Sequence, residues 1–349
     1  MFARVARELQ QNSIQGETGT QSSCDYTIKP IRGPGATSEN YQMLFTGDQA
    51  VQRRFFIKKY TDDTAAARRQ LETDYKTAKW LSEELGNQAT LCVDAPVLMI
   101  PEDRLLISAF VTGENLSPYF FKKLRWHYAS MTDLARMTHI VNEIGAGLAE
   151  LQSITAASVE HHLGQFDPET VLDGFRAELK RFVFFYTAKD VCRDLVKDVA
   201  FRVDRGLEDY LASAPEYCFQ HNDFILQNLM LDESDKIHLF DFANATVGIP
   251  YFDIAHFISS LEDLTYLKMV SDSKVSQLKR SFMSPFLNRS GFKVSLLTAM
   301  RAYIQLYSGT ILLSGEGLRS KNLLCRAVMV NPEERLKKNL LVLLEELES

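Results

Sequence analysis

The sequence predicts an α+β chain in two lobes, a small one built on an antiparallel sheet and a larger, mainly helical one. Three observations predict it. Short strand-like runs, with one helical pattern among them, fill the chain before Gly113. After Gly113 the pattern is mostly helical. Further on, two short apolar runs interrupt the helices and carry a cluster of polar residues, FQHNDFILQNLMLDESDKIHLFDFANATVGIPYFDI.

Residues 1–24 are rich in Gln, Ser, Thr and Gly and read as a flexible arm with a short helix at Phe2–Leu9. Strand patterns follow at Tyr26–Ile31, Tyr41–Thr46 and Arg53–Tyr60. A helix is expected over Thr64–Leu85, with Asp62 and Asp63 as cap candidates. Two more apolar runs, Cys92–Ile100 and Arg104–Phe110, flank the turn Pro101-Glu102-Asp103. These residues, 25–111, make the first lobe. Residues 112–349 make the second, with helices expected at Asp133–Gln152, Pro168–Tyr186, Arg193–Ala212, Asp253–Tyr266, Lys293–Leu313 and Pro332–Leu347. The last opens with Asn331-Pro332, a cap followed by proline, and repeats leucine at helical spacing.

Composition narrows the function classes. The chain has 349 residues, 46% hydrophobic and 24% charged, which is ordinary globular composition. A net charge of −6 with no long Lys/Arg run argues against a nucleic-acid partner. The five cysteines are scattered, without a CxxC pair, and read as reduced thiols. No apolar run approaches the roughly 20 residues of a membrane span, and the start MFARVARELQQNS lacks an apolar signal core. A cytoplasmic protein with no transmembrane segment is expected. The stretch YFFKKLRWHY (119–128) reads as buried aromatics with solvated bases, and His161-His162 as a surface pair.

The polar cluster carries the chemistry. Asp223 comes first, Asn228 stands five residues on, and Asp241 ends the second apolar run. Phosphoryl transfer from a nucleotide needs a carboxylate that orients the attacking hydroxyl and oxygen ligands that hold magnesium. Asp223 fits the first need. A turn aspartate, a turn asparagine and a cap would be the ordinary readings of these residues one at a time; the three together at these intervals favour a site.

The segments HNDFILQN, KIHLFDFANA and GIPYFDIA resemble the aminoglycoside phosphotransferase and choline kinase-like family, which has a protein kinase-like fold. That family reads His-Gly-Asp, four residues and Asn, then an apolar strand ending in an Asp-containing turn, then Gly-x-Pro-x-x-Asp-(Leu/Ile)-Ala. This chain departs from it at Asn222, where glycine is usual, and at the bulky Phe224. The resemblance implies ATP (or GTP) and Mg as cofactors, Asp223 as the catalytic base, and Asn228 and Asp241 as magnesium ligands. It implies that His221 braces the catalytic loop and that Asp253 caps it. Asp253 also reads as an ordinary helix N-cap.

By the same resemblance FFIKKY carries the lysine that holds the nucleotide phosphates, and a helical acid pairs with it. Lys58 and Lys59 compete on opposite strand faces, and Lys58 is preferred. Asp74 lies in the stripe of Leu71, Ala78, Leu81 and Leu85, whereas its competitor Glu72 lies off it, so Asp74 is preferred. The loop Arg32–Asn40, with Gly35 and Ser38, would cover the phosphates. Ser108 and Phe110 would offer backbone groups to the adenine in a hinge at Leu106–Gly113. The implied partner is a small hydroxyl-bearing acceptor: an amino alcohol, aminoglycoside, amino acid or sugar. Glu143, Glu150, Asp173, Glu178, Glu262 and Asp263 are acids that could attract a cationic one. Two other classes stand beside this reading. One is a nucleotide-binding pseudokinase with a regulatory or scaffold role. The other is a kinase acting on protein side chains, for which the HRD, DFG and APE signatures are absent.

Overall fold

The computed structural model describes residues 1–14, 25–31, 38–46, 52–86, 89–125, 130–213, 215–267, 270–287, 289, 291–314 and 332–348. In chain order the elements are α1 (Phe2–Ile14), β1 (Asp25–Ile31), β2 (Ser38–Thr46), β3 (Gln52–Tyr60), α2 (Ala65–Leu85), β4 (Leu91–Cys92), β5 (Pro96–Ile100), β6 (Leu105–Ala109) and β7 (Gly113–Asn115). There follow α3 (Leu116–Leu124), α4 (Met131–Leu151), α5 (Ala156–Leu163), α6 (Pro168–Lys189), α7 (Arg193–Leu211), β8 (Cys218–Gln220), β9 (Leu229–Asp232), β10 (Ile237–Leu239), β11 (Thr246–Gly248), α8 (Tyr251–Asp263), α9 (Asp272–Leu287), α10 (Val294–Ser314) and α11 (Pro332–Glu348). None of the described helices is long and apolar enough to cross a membrane.

The chain divides into two compact units. The first takes Met1–Gln88, Cys92–Gly113 and Met230–Asn244. Its sheet is antiparallel in the order β1-β2-β3-β6-β5. Alternation sorts β3 by face. Phe55 and Ile57 join Met43, Phe45, Leu105 and Ile107 in one core, while Tyr60 joins Leu71 and Leu106 in another. Lys58 shares the parity of Tyr60.

The short helix expected at Phe2–Leu9 is present and runs on to Ile14 as α1; it is packed rather than part of a flexible arm, with Val5, Ala6 and Leu9 buried in the first of those cores. Residues 15–24 of the expected arm lie outside the described residues. Phe2 stacks edge-on against Tyr41 at 5.0 Å. Fully burying Val5 and Leu9 stabilises this packing by about 1.5–3 kcal/mol each, enough to order a helix whose polar face resembles a linker in composition. The expected boundary after residue 111 also moves. The β9–β10 hairpin and the segment after it belong with the first unit, although the sequence places them deep in the second half. The hairpin is closed by Asp232, whose N–H donates to Lys236 O at 2.9 Å and whose Oδ1 accepts from the Ser234 and Lys236 N–H groups at 2.8 Å.

The second unit is Ala89–Leu91, Glu114–Leu229 and Ala245–Ser349. Its helices are signed in the sequence. A capping box of Ser130 and Asp133 starts α4, and Asp167 caps α6, which has proline in its first turn. α10 is buried on most sides and packs on α6, α7, α8 and α11. Leu336, Leu340 and Leu343 form the buried stripe of α11. In α3 the residues Tyr119 and Phe120 are buried, and Lys122 and Lys123 pair with Glu114 and Asp133.

The sequence reading omits α3, α5 and α9. It also runs Cys92–Ile100 together as one strand, where the structure breaks it between Cys92 and Pro96. Pro96 is confined to a strand start because it brings no N–H to the ladder.

Candidate active site

The catalytic-loop residues lie in the second unit, on the chain that leaves β8. β8 is fully buried and pairs antiparallel with β11, Gln220 opposite Thr246 and Cys218 opposite Gly248. A Cβ at Gly248 would sit 1.9 Å from the Gln220 amide oxygen, so a larger residue there would displace the Gln220 side chain. The chain then turns sharply. Asn222 adopts φ of 66°, a left-handed conformation that glycine accepts freely and asparagine better than most. Its side-chain oxygen accepts a hydrogen bond from the Gln220 amide.

Asp253 holds this turn from below. Its carboxylate accepts the His221 N–H at 2.6 Å and the Asn222 N–H at 2.9 Å. The expected N-cap position is corrected: Pro250 is the N-cap, and Asp253 is the third residue of α8, with its side chain turned onto the loop. Full burial raises its carboxyl to about 7, and the two N–H donors work against that rise. His256, one turn along α8, hydrogen-bonds the Asn222 backbone, and burial lowers its imidazole to about 4, keeping it neutral. His221 is fully buried, and its Nδ1 accepts the Asp223 N–H at 3.3 Å.

Asp223 and Asn228 are brought together by this turn and the 3₁₀ turn at Leu226–Asn228. The Asn228 amide donates to the Asp223 carbonyl at 2.8 Å and to its carboxylate Oδ2 at 2.9 Å. Asn115, the N-cap of α3, donates to the Gln227 carbonyl and steadies the same loop.

Lys58, Asp74 and Asp241 lie together in the first unit. Lys58 Nζ is buried, 2.9 Å from Asp74 Oδ2 and 2.7 Å from Asp241 Oδ1. Asp74 also accepts the Tyr60 hydroxyl at 2.8 Å and the Phe242 N–H at 2.8 Å. Burial pulls the Lys58 ammonium down, but the Asp74 and Asp241 carboxylates lift it further, so it stays well above its usual value and charged. Asp241 adopts φ of 68°, and its side chain remains 38% exposed. The competing residues lie elsewhere. Lys59 pairs with Glu39, and Glu72 pairs with Lys76, all on the surface.

The remaining expected residues divide. Gly35 lies outside the described residues. Ser38 opens β2, opposite Tyr60. Asn40, opposite Lys58 in the same ladder, buries its Oδ1 with no hydrogen-bond partner among the described residues.

Backbone groups of Ser108 and Phe110, the expected adenine contacts, face β3. The Phe110 N–H donates to Arg54 O at 3.1 Å, and Ser108 is paired with Phe56. These pairings engage the Phe110 N–H and Ser108 with β3, and antiparallel alternation turns the backbone groups of Ala109 toward the opposite edge.

As donor types, Asn228 in the second unit and Asp241 in the first each suit magnesium. The Asn228 amide nitrogen is held by Asp223, which leaves Oδ1 as the acceptor end, and Asp241 supplies a partly exposed carboxylate. One amide oxygen and one carboxylate, with phosphates and waters, are what this ion takes. The sequence reading passes over Tyr60, His256, Gln220 and Asn115. Each acts through partners distant in the chain or through backbone, which leaves no spacing signal.

A buried Lys–Asp pair beside a strand-end aspartate, together with an Asp–Asn loop hung from a buried carboxylate, is the equipment of a protein kinase-like phosphotransferase. The sequence profile of the phosphotransferase enzyme family (APH) matches residues 27–268, and the chain belongs to that family. Its fold is similar to that of aminoglycoside phosphotransferase APH(4)-Ia, with a TM-score of 0.58 at 12% identity over 97% of this chain and 98% of that one. It is similar also to APH(2")-IIa in its ternary complex with streptomycin and ATP, with 0.52 at 15% identity over 89% and 95%. Choline kinase LicA from Streptococcus pneumoniae gives 0.52 at 14% identity over 96% and 98%. At such identities the likeness is one of fold. A comparison with curated proteins gives no match.

Proposed function

We propose that the protein transfers the γ-phosphoryl group of ATP (or GTP) to a hydroxyl of a small molecule, with magnesium. The observation that carries the reading is the pairing of Asp223 with Asn228. The amide holds the Asp223 carboxylate in place, and that carboxylate would orient an acceptor hydroxyl. Asp223 accepts that proton late in the transfer, and most of the rate enhancement comes from positioning and charge stabilisation. Lys58, held in place by Asp74, binds phosphate oxygens. Asn228 Oδ1 and Asp241 are the residues that would hold magnesium, which neutralises phosphate charge when bound. The backbone of Ala109 replaces Ser108 and Phe110 as the adenine contact. The neighbours' complexes with ATP, ADP or AMP support nucleotide use.

Magnesium-dependent ATP and GTP consumption against pooled amino alcohols, aminoglycosides, amino acids and sugars tests this. Turnover with one pool, abolished in Asp223→Asn while nucleotide still binds, is expected. Undiminished turnover in Asp223→Asn would falsify the role of Asp223.

A further inference from the structure

Three of the six acids that could draw a cationic acceptor are engaged. Glu262 binds Lys279 at 2.6 Å, Arg301 at 3.2 Å and Gln305 at 3.2 Å. Glu150 accepts the Thr90 N–H at 3.1 Å. Glu178 pairs with Arg181.

Aromatic rings gather near the catalytic loop instead. Three helices of the second unit supply them at helical spacing: Phe175 and Phe182 on α6, Phe252 on α8, and Tyr303 and Tyr307 on α10. Phe252 precedes Asp253, and its ring lies 5.7 Å from His256, the residue bonded to the Asn222 backbone. From there the rings are continuous. Phe252 meets Phe175 and Tyr303 at 6.1 Å, Phe175 meets Tyr303 at 4.9 Å, Phe182 meets Tyr303 at 5.4 Å and Tyr307 at 6.4 Å. Phe175 and Phe252 are half-buried and Tyr307 is 38% exposed, so these three rings keep surface open to a ligand, while Tyr303 is buried against them. The wall returns to the catalytic residue at its far end: after burial, the Asp223 charge is the next largest influence lifting the Tyr307 hydroxyl.

We infer that Phe175, Phe252, Tyr303 and Tyr307 form the acceptor platform, and that the acceptor is an uncharged alcohol carrying a flat or apolar ring. The inference rests on the reading of Asp223 as the residue that orients the acceptor. Aromatic faces also attract cations. The cation beside this wall is the protein's own Arg181, which lies 5.8 Å over the buried Phe182 ring and pairs with Glu178. Of the charged side chains that act on Tyr303 and Tyr307, Glu178 and Arg181 offset one another, and Asp223 serves any acceptor.

The test is equilibrium binding to the full chain, saturated with AMP-PNP and magnesium, of phenyl β-glucoside, glucose, choline and kanamycin. Phenyl β-glucoside is expected to bind about tenfold more tightly than glucose, the worth of one ring seated on aromatic faces, and more tightly than either cation. The preference should vanish in Tyr307→Ala and survive in Tyr307→Phe, with thermal melts confirming that both fold. Phe175→Leu serves as the second variant and should weaken the preference too. Tightest binding by choline or kanamycin overturns the inference. So does equal or absent binding of the two glucose probes, or a preference untouched by Tyr307→Ala and Phe175→Leu. If AMP-PNP itself fails to bind, the kinase reading falls, and the ring preference is judged by the same comparison without nucleotide.

Discussion

Lys58 and Asp74 form an ion pair of 2.9 Å in the interior of the first unit, and Asp74 accepts two further hydrogen bonds, from the Tyr60 hydroxyl and the Phe242 N–H. The three donors converge on a carboxylate held at aspartate length. Lengthening the side chain by one methylene pushes it into packed surroundings. Asp74→Glu, which would install the acid usual among related enzymes, is therefore expected to destabilise by about 1 kcal/mol or more. Asp74→Asn removes the charge opposite a buried ammonium and should cost about 3 kcal/mol or more. The exposed changes Lys59→Ala and Glu72→Ala should stay within about 0.5 kcal/mol. Urea unfolding of the four variants checks this, and similar midpoints for Asp74→Asn and Glu72→Ala would refute it.

In the proposed reading Asn228 has two tasks, donor to Asp223 and magnesium ligand, that a substitution can separate. Asn228→Asp keeps an oxygen ligand but loses the donor to Asp223 and sets two carboxylates side by side. Asn228→Ala loses both ligand and donor. Turnover should fall by about a hundredfold or more in either, the scale of losing one positioned group in the transition state. The aspartate variant should recover part of the loss as magnesium is raised, and the alanine variant should not. Initial rates across a magnesium titration decide it, and equal recovery in both would remove Asn228 from the ligand set.

How much of this was legible depends on whether a residue's partners are near in sequence. The strands around Lys58 could be read because alternation assigns Ile57 and Lys58 to opposite faces, and the structure buries both accordingly. Asp74 could be chosen over Glu72 because the helical stripe is a local property of α2. Asp253 was legible as the cap of the catalytic loop through the family resemblance, and its carboxylate does accept the His221 and Asn222 N–H groups; its own segment showed only a polar residue at a helix start, because nothing there encodes the turn it supports. The hinge was less legible for a related reason. Which backbone edge faces outward depends on pairing with β3, so one register step separates Ser108 from Ala109. The helix α1 was read from Phe2, Val5, Ala6 and Leu9, but its packing was not, because the core that receives it comes from strands later in the chain.

Asn222 stands at φ of 66° where related chains use glycine. Asparagine bears this conformation, and its side chain adds the bond from Gln220. Asn222→Ala loses that bond and strains the turn, so it should destabilise by about 1–2 kcal/mol. Asn222→Gly relaxes the turn and should lie closer to the parent chain. Thermal melts in the order parent or glycine above alanine are expected, and an alanine variant as stable as the glycine one would contradict it.

Two histidines should shape stability against pH in opposite directions. Burial lowers His256 to about 4, so the folded chain holds it neutral, while the unfolded chain protonates it near 6.5. Its contribution is complete above about pH 6.5 and is lost as pH falls toward 4, a change of about 2–3 kcal/mol. His238 behaves inversely. Burial pulls its ring down, but Asp94 at 2.7 Å and Asp232 at 3.2 Å raise it further, and the net shift is upward. The folded chain therefore holds more protons than the unfolded one once pH exceeds about 6.5, and the stabilisation present below that value is lost as pH rises through the folded value. Chemical unfolding between pH 4 and 9 should show stability falling on both sides of a maximum. His238→Gln should flatten the alkaline limb and leave the acid limb in place, because glutamine still reaches Asp94 and Asp232 but carries no titrating proton. An alkaline limb unchanged in His238→Gln would assign that slope to other groups.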